Sequence, residues 1–147
     1  MKILLAIDNS VYSDAATDAV IAQARPAHTE VHVIHVVDFP TNMIPEAHIY
    51  SPPTGRGRDA ERKPAQALVE KVASKLRSHG LRVSTAIAWG DPRSKIIQAA
   101  RDWNADLIVI GSHGWKGLSR FLMGSVPEGV ARHAPCSVQI VRVREAA

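Results

Sequence analysis

The amino-acid sequence predicts an α/β fold in which five parallel β-strands form one sheet and helices cover both of its faces. Short apolar segments, typical of strands that are buried on both sides, alternate with longer segments whose apolar residues recur at helical spacing. The resulting βαβαβαβαβ order favours parallel strands joined by right-handed crossovers. Since 147 residues is the size of one domain with one substantial core, we expect residues 1–147 to form a single domain.

The first strand is predicted at residues 2–8, where KILLAID is a nearly continuous apolar run. Asn9 and Ser10 supply a helix cap, and the helix that follows ends before Pro26. The β-branched segment EVHVIHVVD predicts the second strand at residues 30–38. His32 and His35 lie on opposite faces of that strand, so we interpret them as core or edge histidines, not as a shared metal site.

Residues 38–58 form one irregular segment, with four prolines and two glycines in DFPTNMIPEAHIYSPPTGRGR. An irregular segment of about 20 residues is unusual in a compact domain and is typical of a functional flap or a disordered insertion. We therefore expect a mobile flap here.

The second half of the chain continues the alternation of helix and strand. Helices are predicted at residues 59–79, from Asp91 and Pro92 to Trp103, and at residues 126–134 before Pro135. Strands are predicted at residues 81–90, 105–110 and 137–143. Two chemically suggestive features fall at strand ends, Asp8 after the first strand and Gly111 after the fourth. Ligands of such folds bind at the carboxyl ends of the strands, so these two features would face one crevice if the strands are neighbours.

The segment GSHGWKGLSRFLMGSV, residues 111–126, is the strongest motif in the chain. A Walker A loop is excluded because the lysine and hydroxyl residue that G-x4-G-K-S/T requires are missing. Gly55 and Gly57 imitate a dinucleotide fingerprint, but they follow YSPPT and not a strand. What remains is Gly111-x2-Gly114, nine residues, and then Gly124-Ser125, placed between a strand and a helix.

This pattern resembles the nucleotide-binding signature of the universal stress protein family, G-x2-G-x9-G-S/T. The resemblance extends over nearly the whole chain, from KILLAIDNS through HVIHVVD to RHAPCSVQIV. It implies the family's adenine nucleotide α-hydrolase-like fold with strand order 3-2-1-4-5, which places strands one and four side by side.

The residue types of the motif suit a phosphate group. Gly111 and Gly114 would let the backbone approach a sugar and phosphates without an intervening Cβ. Gly124, Ser125 and Val126 would present amide groups at a helix N-terminus, where the helix dipole favours anions. The Ser125 hydroxyl is expected to bind a phosphate oxygen and to cap the helix, or only to cap it.

Other site residues are expected on the remaining strand ends. Asp8 would accept a hydrogen bond from a ribose hydroxyl or hold a water of bound Mg²⁺, or it would only cap the first helix. By resemblance, the side chains of Ala6 and Ile7 and the backbone of Val36 would line an adenine pocket. Pro127 departs from ATP-binding relatives and removes one possible amide donor.

Side chains within the glycine loop are less decisive. His113, Lys116 and Arg120 are either solvated or, for the two cations, close to the outer phosphates of a nucleotide. His113 is included among the candidate cofactor-binding residues. Trp115 and Phe121 are expected to pack and hold the loop, and Cys136 to be a small core residue without an activating partner.

The sequence therefore predicts a cytoplasmic universal stress protein that binds ATP, with Mg²⁺, as a sensor or regulatory module. A slow or partner-dependent ATPase and a nucleotide-free interaction protein remain alternatives. Binding is favoured over catalysis because no general base is tied to the glycine loop. A homodimer is expected through the apolar edge strand at residues 137–143, and a regulatory protein partner is not identified.

Composition narrows the remaining partners. The net charge of +4 comes from 18 basic and 14 acidic side chains spread along the chain, which favours a solvated surface over a nucleic-acid site. The longest apolar runs are far shorter than the roughly 20 residues that span a membrane. A single cysteine cannot form an internal disulfide, which fits a reducing compartment.

Overall fold

The structure, a computed structural model, describes residues 1–38, 55–114 and 123–143. Strands and helices alternate along these residues, with one short 3₁₀ turn before the second strand. In chain order they are β1 (Lys2–Ile7), α1 (Val11–Gln23), the 3₁₀ turn (Pro26–His28), β2 (Glu30–Val37), α2 (Gly55–Ser78), β3 (Arg82–Trp89), α3 (Pro92–Trp103), β4 (Leu107–Gly111), α4 (Ser125–His133) and β5 (Ser137–Val141).

The five strands form one parallel sheet in the order β3-β2-β1-β4-β5, which confirms the predicted fold class. β1 lies at the centre, where Ile3 is in register with Val31 of β2 and with Leu107 of β4. The strand order reverses between β1 and β4. The carboxyl ends of these two neighbours therefore flank the crevice in which such sheets bind ligands.

Each face of the sheet has its own apolar core, because side chains of a strand alternate between the two faces. On one face, Ile3 and Leu5 of β1 pack with α1 and α2 through residues such as Val20 and Leu76. On the other face, Leu4 and Ala6 of β1 pack with Ile96 and Ala100 of α3 and Val130 of α4. This two-sided burial explains the uninterrupted apolar runs from Ile3 to Ile7 in β1 and from Leu107 to Ile110 in β4.

Two predicted boundaries need correction in the first half of the chain. β1 ends at Ile7, one residue early, because the amide of Asp8 donates to the Ser13 hydroxyl and not to a neighbouring strand. α2 begins at Gly55, so the last four residues of the predicted irregular segment 38–58 are helical and Pro64 lies inside the helix. The rest of that segment, residues 39–54, lies outside the described residues.

The second half differs from prediction by one or two residues at most boundaries. β4 extends through Gly111, because Ser112 continues the pairing by donating its amide to the Val141 carbonyl at 2.9 Å. β5 ends at Val141 and not at residue 143. α4 begins at Ser125 and ends at His133, one residue earlier than predicted.

Candidate functional site

The candidate site lies where β1 and β4 end side by side. Ala6 is in register with Ile110, so Asp8 and the segment from Ser112 to Gly114 leave the sheet at the same edge. Asp8 and Gly111 were expected to face one crevice only if the first and fourth strands are neighbours. The observed order brings the two features together.

The Asp8 carboxylate is held in place by Ser13 of α1. The Ser13 hydroxyl accepts from the Asp8 amide at 2.7 Å and donates to Asp8 Oδ1 at 2.9 Å. The helix is capped by Ser10, whose side chain accepts from the Ser13 amide at 3.3 Å. Asp8 therefore does not cap α1, and the alternative reading of this residue is wrong. Its half-buried carboxylate is oriented at the strand end.

Gly111 has a packing role that its position in the motif did not reveal. A Cβ added at Gly111 would lie 2.7 Å from Tyr12 Cβ and 2.9 Å from the carbonyl carbon and oxygen of Tyr12. The first turn of α1 therefore packs directly on the backbone of β4. Gly111 is needed for that approach, whatever the site binds.

We expect Gly111→Ala to destabilise the protein by about 1–3 kcal/mol, the usual cost of overpacking against atoms that cannot easily move. Urea unfolding measures the change in free energy. Gly114→Ala is the matched control, because among the described residues its added Cβ would meet a single carboxylate oxygen at the end of the Asp8 side chain. Equal unfolding free energies for the two variants would contradict the packing role of Gly111.

His113 is buried and not solvated, which corrects one of the two predicted environments for this residue. Only 6% of its surface is exposed, its Nδ1 lies 3.0 Å from the Ser112 hydroxyl, and its ring lies 5.0 Å from that of Tyr12. The imidazole thus packs between the loop and α1. The other loop side chains that were considered lie outside the described residues: Trp115, Lys116, Arg120 and Phe121.

The N-terminus of α4 is arranged differently from the prediction. Gly124 is the N-cap residue, and its amide donates to the Ser112 carbonyl at 2.8 Å. It is therefore not available to a ligand, and Ser125 does not cap the helix. The amides of Ser125 and Val126 occupy the first turn, where they have no partner within the helix. Pro127, which is buried, has no amide hydrogen.

A Cβ at Gly124 would also be crowded, at 3.1 Å from the Ser112 carbonyl oxygen and 3.3 Å from His113 Cα. The close contact at this glycine is therefore with the protein's own loop. Gly124 and Ser112 together connect the start of α4 to the end of β4. The Ser125 hydroxyl is exposed and makes no hydrogen bond within the described residues.

The three residues expected to line an adenine pocket are at the correct end of the sheet but differ in what they can offer. Ala6 and Ile7 are both 5% exposed and belong to the cores on opposite faces, so their side chains cannot line one pocket together. The Ile7 carbonyl lies 2.9 Å from His35 Nδ1. Val36 is in register with Ala88 of β3 but is one residue beyond the last β1–β2 pair, so the side of its backbone that faces β1 lies beyond the end of that strand.

Two other titratable side chains near the sheet, His32 and Cys136, are partly buried against neighbouring residues. His32 lies 2.6 Å from the Ser84 hydroxyl and beside the Trp103 ring, and burial lowers its pKa. Burial, followed by the charge of Asp106, raises the pKa of the Cys136 thiol, which therefore stays protonated at neutral pH. Among the described residues, no group of three or more histidine, cysteine or acidic side chains is placed to hold a metal ion.

Residues missed by the sequence analysis are those that support the loop: Tyr12, Ser13 and Ser112. Ser13 lies five residues after Asp8, and a serine so close to a strand end is the only local indication in the sequence that it contacts the aspartate. Tyr12 contacts Gly111 across nearly a hundred residues of chain, a contact that no local pattern indicates.

In the described part of the chain, no helix has the length and apolar character that crossing a membrane requires.

The chain was compared with known proteins. A family model described as the universal stress protein family matches residues 1–142. Universal stress protein YxiE of Bacillus subtilis is 30% identical over 145 residues, covering 96% of this chain and 98% of the relative. The solved structure of hypothetical protein MJ0577 is 28% identical, with a TM-score of 0.84 over 99% of this chain and 97% of that one.

Two more distant structures were solved with a nucleotide. A universal stress protein in complex with cAMP is 21% identical, with a TM-score of 0.68, covering 97% of this chain and 96% of that one. A family protein from Arabidopsis thaliana with AMP bound is 20% identical, with a TM-score of 0.69, covering 98% of this chain and 92% of that one. At these identities the similarity shows a shared fold.

Proposed function

This chain belongs to the universal stress protein family, and we propose that it binds ATP at the β1–β4 crevice and acts as a cytoplasmic sensor or regulatory module. The observation that carries the proposal is the placement of the complete glycine motif. It begins at the end of β4, beside the Asp8 carboxylate, and ends at the start of α4. The adenine nucleotides bound by two distant relatives support the same ligand class.

The phosphates would lie at the N-terminus of α4. The Ser125 and Val126 amides have no partner within the helix, and the Ser125 hydroxyl is exposed beside them. The partial positive charge of the helix end adds about 0.3–1 kcal/mol of attraction for an anion. Gly114, three residues beyond the end of β4, would let the backbone approach the sugar or phosphates. Gly124 serves this site through its contact with Ser112.

The nucleoside would lie across the end of β1. Asp8, oriented by Ser13, is the carboxylate that can accept a hydrogen bond from a ribose hydroxyl. The side of the Val36 backbone that lies beyond the end of β1 can contact the adenine ring. Ala6 and Ile7 would contribute backbone atoms only, because their side chains are in the core. His113 would act by packing behind the loop.

Mg²⁺ is proposed to accompany ATP through the nucleotide itself. Mg²⁺ keeps several water ligands and is commonly bound by phosphates with only one or two carboxylates. Asp8 fits that need as a single carboxylate that holds one metal-bound water. The ion would neutralise phosphate charge and would not require a preformed protein site.

Isothermal titration of the purified chain with ATP, AMP and cAMP, with and without Mg²⁺, tests the ligand. We expect micromolar ATP binding, about −8 kcal/mol. GTP is the matched control, since it carries the same ribose and triphosphate with a different base. Absence of binding by any adenine nucleotide would overturn the proposal and favour a nucleotide-free interaction protein.

Hydrolysis of bound ATP is expected to be slow, well below about 1 per second, which is modest for an enzyme. The proposed site would position the nucleotide, but among the described residues no general base is assigned to the phosphates, so it would gain little beyond positioning. Phosphate release by the pure protein at saturating ATP measures the rate. Sustained turnover at about 1 per second or faster would contradict the sensor assignment and favour an ATPase.

A further inference from the structure

A second cleft lies between α3 and α4 and is lined by side chains that do not belong to the glycine motif. It has a volume of about 390 Å³ and is lined by the basic side chains Arg93, Arg101 and His133, with Ile97, Gln98 and Asp91 completing its walls. Neither the family's motif nor the proposed ATP site uses these side chains. The cleft is therefore a separate feature of the surface.

The aliphatic stem of Arg93 lies against α4 at Gly129, where the missing Cβ leaves room for it. A Cβ at Gly129 would lie 1.8 Å from Arg93 Cδ and 2.7 Å from its Cγ, so the arginine stem occupies the place of a side chain on α4. Gly129 is buried in the middle of a nine-residue helix, where glycine costs about 1 kcal/mol relative to alanine. Arg93, which also lines the cleft, therefore packs its stem on α4.

The basic groups of the cleft form no ion pair within the described residues, although the charge of Arg93, after the hydrogen bonds from Ser94, helps to lower the pKa of Asp91. Arg93, Arg101 and His133 make no ion pair or hydrogen bond through their side chains there. The one carboxylate in the lining, Asp91, caps α3 and accepts from the Ser94 amide at 3.1 Å and from its hydroxyl at 2.7 Å. By contrast, Arg132 on a neighbouring position of α4 is paired with Glu128 at 3.0 Å.

We propose that this cleft binds an extended acidic segment of a partner protein. Arg93 and Arg101 are eight residues apart on α3, a rise of about 12 Å. In an extended segment that distance corresponds to about four residues, and side chains four residues apart point to the same side. Two carboxylates with this spacing would reach the two guanidinium groups, with Ile97 between them as an apolar floor.

A peptide fits the cleft better than a nucleic acid does. Asp91 at one end of the lining repels a continuous phosphate backbone, and the lining contains no phenylalanine, tyrosine or tryptophan, so His133 is its one aromatic ring for base stacking. A segment with separate carboxylates can place neutral residues beside Asp91. Charge-assisted hydrogen bonds from arginine to carboxylate are among the strong ones, and their geometry is frequently bidentate.

Titration of the ¹⁵N-labelled full chain with a synthetic peptide tests the proposal, since NMR detects weak binding. The peptide carries two glutamates four residues apart among serine and valine. We expect shift changes confined to residues 91–101 and the end of α4. The control peptide has the same composition with its glutamates three residues apart, on opposite sides of an extended chain, and should bind more weakly.

Three variants locate the binding. The double variant Arg93→Gln, Arg101→Gln is expected to weaken peptide binding about tenfold or more. Arg62→Gln, Lys71→Gln is the control, since both residues are exposed on α2, across the sheet, and the net charge changes equally. Gly129→Ala retains every charge and should lower affinity at least about threefold by displacing the Arg93 stem, without lowering Tm.

Equal weakening by the two double variants would overturn the proposal, because it would show a non-specific charge effect. So would an absence of shift changes in the cleft, or binding of a single-stranded RNA oligonucleotide there in place of the peptide. The proposal does not depend on ATP. A wild-type chain that fails to bind nucleotide but binds the peptide would leave it intact.

Discussion

Gly114→Val is expected to abolish measurable ATP binding, with an affinity at least about 100-fold below that of the wild type and the fold intact. A Cβ at Gly114 would lie 2.9 Å from Asp8 Oδ2, so a branched side chain both fills the space at the strand end and displaces the carboxylate. Neither effect disturbs the core. Gly114 does not have the left-handed backbone conformation seen at Gly80 and Gly90, so valine adds no such strain.

Two further variants separate the causes of that loss. Gly114→Ala adds only the Cβ and should cause a smaller loss. Ser13→Ala removes the hydrogen bond to Asp8 Oδ1 without filling the site and should weaken ATP binding about tenfold, because this charge-assisted hydrogen bond orients the carboxylate. Isothermal titration gives the affinities and urea unfolding reports the fold. Wild-type ATP affinity in a folded Gly114→Val protein would contradict the proposed site.

The alternation of strands and helices could be predicted in part because β1 and β4, at the centre of this sheet, are buried on both faces. Burial leaves a continuous apolar run, such as Ile3 to Ile7, that local patterns detect. The order of the strands is a different matter, since β1 pairs with β4 across about a hundred residues. That order was implied by family resemblance and not by periodicity, and the structure confirms it.

The motif glycines show why a site is harder to predict than a fold. Spacing identified Gly111, Gly114 and Gly124, but it cannot tell which glycine faces a ligand. Gly111 contacts Tyr12 of α1, which is distant in sequence. Gly124 packs on the Ser112–His113 backbone. A shift of one residue at the start of α4 made Gly124 the cap and removed its amide from the ligand's reach.

The burial of His113 illustrates the same limit. Histidine in a glycine loop is usually read as solvated, because loops lie on the surface. Here the first turn of α1 packs on Gly111, and the Tyr12 ring lies beside the His113 imidazole. The position of α1 depends in turn on Gly111, so the burial of one loop residue follows from a contact at another.

The second prediction with a large expected effect is a homodimer through the edge strand β5. β5 pairs with β4 on one side, and no strand of the described residues pairs with its other side. The Ser112 amide donates to the Val141 carbonyl, so the backbone groups of Val141 point towards β4. Backbone direction alternates along a strand, and those of Ile140 therefore point towards the open edge. Apolar, unpaired edges invite pairing with another chain.

A two-fold axis beside β5 would let two copies satisfy both edges with the same contacts. Ile140→Pro removes an edge-facing amide and is expected to convert a wild-type dimer into a monomer, as measured by sedimentation equilibrium. Ile140→Ala is the matched control, because it loses the same side chain from the core but keeps the amide, and should remain dimeric.

Val138→Pro provides a second edge-facing test if Ile140→Pro does not fold. Val141→Pro should instead break the β4–β5 pairing and destabilise the fold. A monomeric wild type, or a folded edge-facing proline variant that stays dimeric, would show that β5 is not the dimer interface.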